Sequence, residues 1–203
     1  MSLKELKNNF IIDVAASLFL ERSISSVTIK DIAERAEVGE MTVYRYFQKK
    51  TNIVLAVVLK LEKQIIDSYF DLSEGKTGFE KLQKFYNSYI SIFEDKPHYY
   101  QFIKEFDLYM YENGSQELLE GYQAELDAFK VAFLQAYEEG RQDNSVREIN
   151  DISTFYFATT HSLLELCKKL SFKDGLLSQD LKIGKVEEIK VLVNIILNQL
   201  KQS

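Results

Sequence analysis

The sequence predicts an all-α chain of about nine helices, arranged as an N-terminal three-helix helix-turn-helix domain and a C-terminal helical bundle. Three observations predict it. Apolar residues recur at spacings of three and four along most of the 203 residues, the period that places them on one face of a helix. Pro occurs once, as Pro97, and Gly eight times, so little interrupts helical runs. Tyr and Phe are abundant, yet they too recur at three and four, not at the spacing of two that marks a strand.

The elements follow in order. Residues 4–21 place Ile11, Val14, Ala15, Leu18 and Phe19 on one stripe. Ser23 to Val27 interrupt it. Thr28 can cap a short second helix, with Asp31 three residues on as in a capping box and Ile29, Ile32, Ala33 and Ala36 facing inward. A break at Glu37-Val38-Gly39 precedes a third short helix through about Tyr46. A longer apolar run covers Ile53 to Phe70, and Gly75 and Gly78 bracket a loop. Residues 79–94 form a helix stopped by Asp95-Lys96-Pro97. Further helices cover about 98–111, 116–140, 150–171 and 185–201, with connections at Asn113-Gly114, Gly140 to Asn144 and Lys173 to Gly184.

Composition bounds the function class. Apolar residues make up 46% and charged residues 28%, the balance of an ordinary globular chain. No apolar run approaches the roughly 20 residues that span a bilayer, and the N-terminus lacks a signal-peptide core. Cys167 is the single cysteine and cannot form an internal disulfide. The expectation is a cytoplasmic protein with no membrane contact. Net charge is −6, but residues 1–54 carry +1 and residues 55–203 carry −7. Contact with nucleic acid therefore requires a local basic patch. No phosphate loop, nucleophile elbow, dinucleotide fingerprint or metal cluster is present in the sequence, so neither an enzyme nor a cofactor is expected.

Residues 28–47 hold a short helix, a tight turn and a second short helix within twenty residues, the geometry in which the second helix enters the major groove. From Leu18 to Ile53 the chain reads LFLERSISSVTIKDIAERAEVGEMTVYRYFQKKTNI. Leu18-Phe19, Thr28, Ile32-Ala33, Ala36, Val38, Thr42, Tyr44, Tyr46-Phe47 and Lys50 match the pattern of the tetracycline-repressor (TetR) family in order and spacing. This quarter of the chain resembles that family's DNA-binding segment. It departs at three places. Glu37 stands where the family usually has Gly, and a φ > 0 there costs a non-Gly residue roughly 1–2 kcal/mol. Gly39 stands where a Ser or Thr cap is common, and Met41 replaces a usually small residue.

The resemblance implies operator contact by Thr28 and the residues after it. Lys50 would open the fourth helix, where its ammonium and free backbone amides favour a phosphate. Tyr44 and Tyr46 offer hydroxyls to phosphate oxygens, and Arg45 and Lys49 add positive charge. Met41 and Thr42 are placed to reach bases, including a thymine methyl, and Glu40 either accepts from cytosine N4 or repels backbone phosphates from a solvated surface. Phe47 is expected in the small core. The sequence thus divides into a DNA-binding domain, 1–50, and an effector-binding and dimerisation domain, 51–203.

Aromatic residues crowd the second domain. Phe102, Phe106 and Tyr109 share one face; Leu119, Tyr122, Leu126, Phe129, Phe133 and Tyr137 form a second stripe; Phe155, Tyr156, Thr159 and Leu163 continue the theme. They make either plain core or the wall of a pocket between helices. The resemblance implies a pocket, and its expected wall is Phe102, Phe106, Tyr109, Tyr122, Phe129, Phe133, Tyr156 and Thr159, around a cavity of a few hundred Å3 that takes a largely apolar or aromatic molecule. His161 and Glu165 read as a structural pair, not a metal site, and Cys167 as a small apolar group. Val186, Ile189, Val193, Ile196 and Leu200 form a stripe that Leu192 and Ile195 widen, and residues 150–171 are apolar on more than one side. The resemblance implies a homodimer through 150–171 and 185–201. The expected function is a sequence-specific transcription regulator, a repressor released from near-palindromic double-stranded operator DNA by a small-molecule effector.

Overall fold

A computed structural model describes residues 2–172 and 182–202, Glu125 by its backbone alone. Nine helices occur among the described residues: α1 (Leu3–Glu21), α2 (Ile29–Arg35), α3 (Glu40–Phe47), α4 (Lys50–Tyr69), α5 (Gly78–Asp95), α6 (Pro97–Asn113), α7 (Gln116–Gln142), α8 (Ile152–Leu170) and α9 (Lys185–Leu200). The all-α reading holds. The one piece of β pairing among these residues is an isolated antiparallel bridge between Val146 and Lys201. Of the connection expected from Lys173 to Gly184, residues 173–181 lie outside the described residues.

Three boundaries differ from expectation for identifiable reasons. Pro97 opens α6 instead of merely ending the helix before it, because a first-turn residue has no amide bond to lose. Gly78 is the first residue of α5, and Gly140 lies inside α7. Both follow from one close approach: a Cβ added to Gly78 would sit 2.0 Å from the Gly140 backbone nitrogen, and one added to Gly140 would sit 2.3 Å from a Val146 methyl. These glycines are needed for proximity, so they tolerate the helix.

The chain forms two compact units. The first contains residues 1–63 and 102–125, the second residues 64–101 and 126–203; α4, α6 and α7 each contribute to both. In the first unit, α1 packs on α2 and α2 on α3 around Ile11, Leu18, Ile32 and Val43, all buried. A bond from far along the chain joins them: the Ile24 amide donates to Glu105 Oε2 at 2.7 Å.

In the second unit, α9 lies against α5 and α8. Its core is aromatic, with Phe85, Tyr86, Phe133 and Tyr156 in mutual tilted or edge contact. Burying each such side chain contributes about 1.5–3 kcal/mol. The Arg147 amide donates to the Leu200 carbonyl at 2.9 Å and the Gln202 amide to the Ser145 carbonyl at 3.1 Å, which ties the end of α9 to the α7–α8 connection.

Gly78→Ala should lower stability by about 1–3 kcal/mol, as overpacking does, because backbone and not a flexible side chain stands in the way. Gly121→Ala, in α7 with nothing within 4 Å of its added methyl, should instead gain about 0.5–1 kcal/mol. Thermal unfolding followed by circular dichroism checks both signs.

Candidate functional site

The helix-turn-helix is built from its caps outward. The Thr28 hydroxyl accepts from the Asp31 amide at 3.1 Å, and the Asp31 carboxylate accepts from the Thr28 amide at 2.7 Å, closing the expected capping box at the start of α2. Hydrogen bonds from the Thr28 hydroxyl and then from its amide hold the Asp31 carboxyl below the usual carboxylate range. At the other end of α2, the Ala36 amide donates to the Ile32 carbonyl at 2.9 Å and the Val38 amide to the Ala33 carbonyl at 3.0 Å. Glu37 takes φ 53°, so the turn does demand the left-handed conformation, and a non-glycine residue supplies it. Gly39 caps α3 with extended backbone and no side-chain bond.

α3 buries Val43 and Phe47, which fixes the opposite face. Glu40, Met41, Tyr44 and Arg45 point outward, Met41 being 80% exposed, while Thr42 and Tyr46 are half-buried at its edges. The Arg45 guanidinium lies 5.7 Å from the Tyr46 ring centre. Phe47 is core, as expected. Lys49 is exposed after the helix, and Lys50 is the first residue of α4.

Lys50 faces inward more than sequence reasoning foresaw. Its ammonium lies 3.4 Å from the Ser25 carbonyl and 5.3 Å from the centre of the Tyr109 ring. Burial pushes its pKa down, and the Asp31 carboxylate pulls in the opposite direction. Tyr109, expected in an effector pocket, is thus also the platform under Lys50.

The remaining aromatic candidates fall into two groups. In the first unit, Phe102 and Phe106 are buried with rings stacked 6.4 Å apart, and Phe106 meets Tyr122 edge-on at 5.0 Å. The Tyr122 hydroxyl donates to Glu62 Oε1 at 3.5 Å. Glu62 is only 3% exposed, a buried carboxylate that sequence reasoning missed because it interrupts an apolar run without any motif around it. Burial first, then the charges of Glu62 and Asp107, push the Tyr122 phenol far above its ordinary value. In the second unit, Phe129 meets Phe70 edge-on at 4.8 Å, and Phe133 lies 5.1 Å from Tyr156, whose phenol burial pushes up to about 12. The Thr159 and Tyr86 hydroxyls are 2.7 Å apart. These rings interlock with core residues, notably Phe85 and Tyr86, that lay outside the expected wall.

His161 and Glu165 do not bond to one another among the described residues. Glu165 accepts from Lys168 Nζ at 2.7 Å, and the His161 ring lies 5.6 Å from that of Phe157. The stronger charge pairing with a lysine three residues on wins. Cys167 is buried, and burial pushes its thiol up to about 12, the behaviour of a small apolar group.

Residues 11–57 match the family model described as bacterial regulatory proteins, tetR family. No curated protein matches the chain at a significant level. Among solved structures, a regulator from Saccharomonospora viridis in complex with choline shares 16% identity over 97% of this chain and 98% of its own, with a TM-score of 0.75. FadR from Bacillus subtilis in complex with stearoyl-CoA shares 18% over 94% and 97%, with a TM-score of 0.70. A TetR-family regulator from Marinobacter aquaeolei shares 19% over 97% and 96%, with a TM-score of 0.61. At these identities the likeness is one of fold.

Thr28→Ala should cost about 1 kcal/mol near neutral pH through loss of the cap. Because the Asp31 pKa is depressed in the folded state, the stabilisation is complete above the ordinary carboxylate value of about 4 and is lost as pH falls through the depressed value. The gap in melting temperature between the two proteins, measured from pH 7 to pH 2, should narrow at the acid end, where only the bond from the Asp31 amide to the Thr28 hydroxyl is still at stake. A gap that stays constant would show that the bond from the Thr28 hydroxyl to the Asp31 carboxylate contributes nothing to the cap.

Proposed function

We propose that the chain, whose residues 11–57 match the model of the tetR family of bacterial regulatory proteins, is a DNA-binding transcription regulator: a cytoplasmic, dimeric repressor released from its operator by a small, largely apolar or aromatic molecule. The observation that carries the DNA-binding face is the division of α3: Val43 and Phe47 satisfy the core, so Glu40, Met41, Thr42, Tyr44 and Arg45 are left for the groove. Met41 and Thr42 read base edges. Tyr44, Tyr46, Lys49 and Lys50 hold phosphates, with Thr28 at the start of α2. Residues 1–50 supply this DNA contact and residues 51–203 bind the effector and dimerise. The ligands bound by two proteins of like fold, choline and stearoyl-CoA, support an effector role for the second region. Within the first unit, the aromatic cluster around Phe106 supplies apolar surface, and Glu62 and Tyr122 the polar handles; within the second, Phe133 and Tyr156 offer apolar surface beside the Thr159 hydroxyl.

The proposed dimer uses the outward faces of α8 and α9. The stripe through Ile189, Val193, Ile196 and Leu200 is buried within one chain, Ile196 being 4% exposed, because α5 and α8 already cover it. The surface free to pair is Phe157 and His161 on α8 with Val191 and Ile195 on α9; the last two are 59% and 55% exposed. A two-fold pairing there matches a near-palindromic operator with half-sites about 34–36 Å apart, or a multiple of one turn. The effector acts by favouring an arrangement that does not fit both half-sites.

The test selects binding sequences from random duplexes and repeats the assay with variants. Lys50→Ala should weaken all duplexes alike and reduce the salt slope by about one unit, whereas Thr42→Ala should change which sequences are preferred. Ile195→Glu should yield monomers in sedimentation at micromolar concentration and weaken binding to two half-sites. An unaltered salt slope, unaltered preference or a monomeric parent protein would each remove the corresponding part of this reading. A library of apolar and aromatic compounds that contains none able both to raise the melting temperature and to weaken operator binding would remove the effector.

A further inference from the structure

An open cleft of about 510 Å3 lies within the first unit, between the first turns of α1 and the end of α3. Lys4, Asn8 and Asn9 line it from α1, and Arg45 and Tyr46 from α3; Ser2 and Glu5 close its rim. Several cations of this unit are already engaged nearby. Arg22 pairs with Asp31, Lys30 with Glu34, Arg35 with Glu21 and Lys60 with Asp13, while Lys50 turns to the Ser25 carbonyl. Lys4 and Arg45, which face the same cleft, have no carboxylate partner among the described residues. Glu5 is the one acid there, and its carboxylate is committed to the Ser2 amide at 2.8 Å.

The position of Lys4 adds to this. It occupies the first turn of α1, where the helix dipole disfavours a cation, so it does not serve the helix. Residues 55–203 carry −7, so the net charge does not draw a polyanion to that part of the chain. The cleft is also continuous with the recognition helix, since Arg45 and Tyr46 belong to both.

We propose that this cleft seats a backbone phosphate of the bound duplex, held by the Lys4 ammonium and the Arg45 guanidinium, with the Asn8 and Asn9 side-chain amides and the Tyr46 hydroxyl as further donors. It extends the operator contact from the helix-turn-helix onto α1, and it rests on the DNA-binding reading above. Such a contact positions the protein and carries no sequence information.

The experiment uses the full chain and a fluorescent 40-base-pair duplex of arbitrary sequence, with anisotropy followed from 50 to 200 mM salt. Lys4→Ala should lower affinity by about three- to tenfold at the low-salt end and reduce the slope of log K against log salt by about one unit. Lys4→Arg should restore the slope, and Lys96→Ala, in the second unit, should leave it unchanged. The loss cannot come from unfolding, because removing a first-turn cation does not weaken α1, and equal melting temperatures for the parent and Lys4→Ala proteins confirm it. If the parent binds the duplex and Lys4→Ala binds it with the same slope, the cleft holds no phosphate while the regulator reading stands. If the parent binds no duplex at any salt, the DNA-binding reading fails and the cleft proposal falls with it.

Discussion

The hydrogen bond from the Ile24 amide to the Glu105 carboxylate holds the first unit together from outside the helix-turn-helix. Ile24 is fully buried in the connection between α1 and α2, where no helical carbonyl is available to it. A buried amide left without an acceptor costs about 1–3 kcal/mol. The acceptor is 81 residues away in the chain and arrives on α6. The helix-turn-helix is therefore tied by this bond to a helix outside it.

Four residues further along α6, on the same face, Tyr109 underlies the Lys50 ammonium. Glu105 thus secures the connection that leads into α2, and Tyr109 the residue that opens α4. The recognition helix α3 lies between these two points in sequence, so both its approach and its exit are referred to one rigid element. A displacement of α6 by any cause would be felt at both places at once. The Lys50 ammonium is meanwhile held between the Ser25 carbonyl and the face of the Tyr109 ring.

The helices themselves were legible because periodicity and capping are local. Thr28 and Asp31 form the box their spacing announces, and the left-handed Glu37 stands where a glycine would be easiest. What escaped was set by distant contact. Gly78 and Gly140 look like loop residues until their backbones are seen to touch. Ile196 and Leu200 look like a surface for a second chain until α5 is seen to cover α9. Glu62 and Glu105 look like ordinary helix-surface acids, yet one is buried beneath Tyr122 and the other reaches the Ile24 amide. An acidic residue in a helix carries no mark of the partner it will meet.

Amide hydrogen exchange at Ile24 tests the dependence of the helix-turn-helix on α6 most directly. In the parent chain the Ile24 amide should exchange as slowly as the core amides of α2. In Glu105→Ala it should exchange much faster, with α2 and α3 amides loosened in step, while Glu105→Gln, whose amide oxygen still accepts, should retain most of the protection. Unchanged, slow exchange at Ile24 in Glu105→Ala would show that the DNA-binding segment stands without α6, and would contradict the central claim.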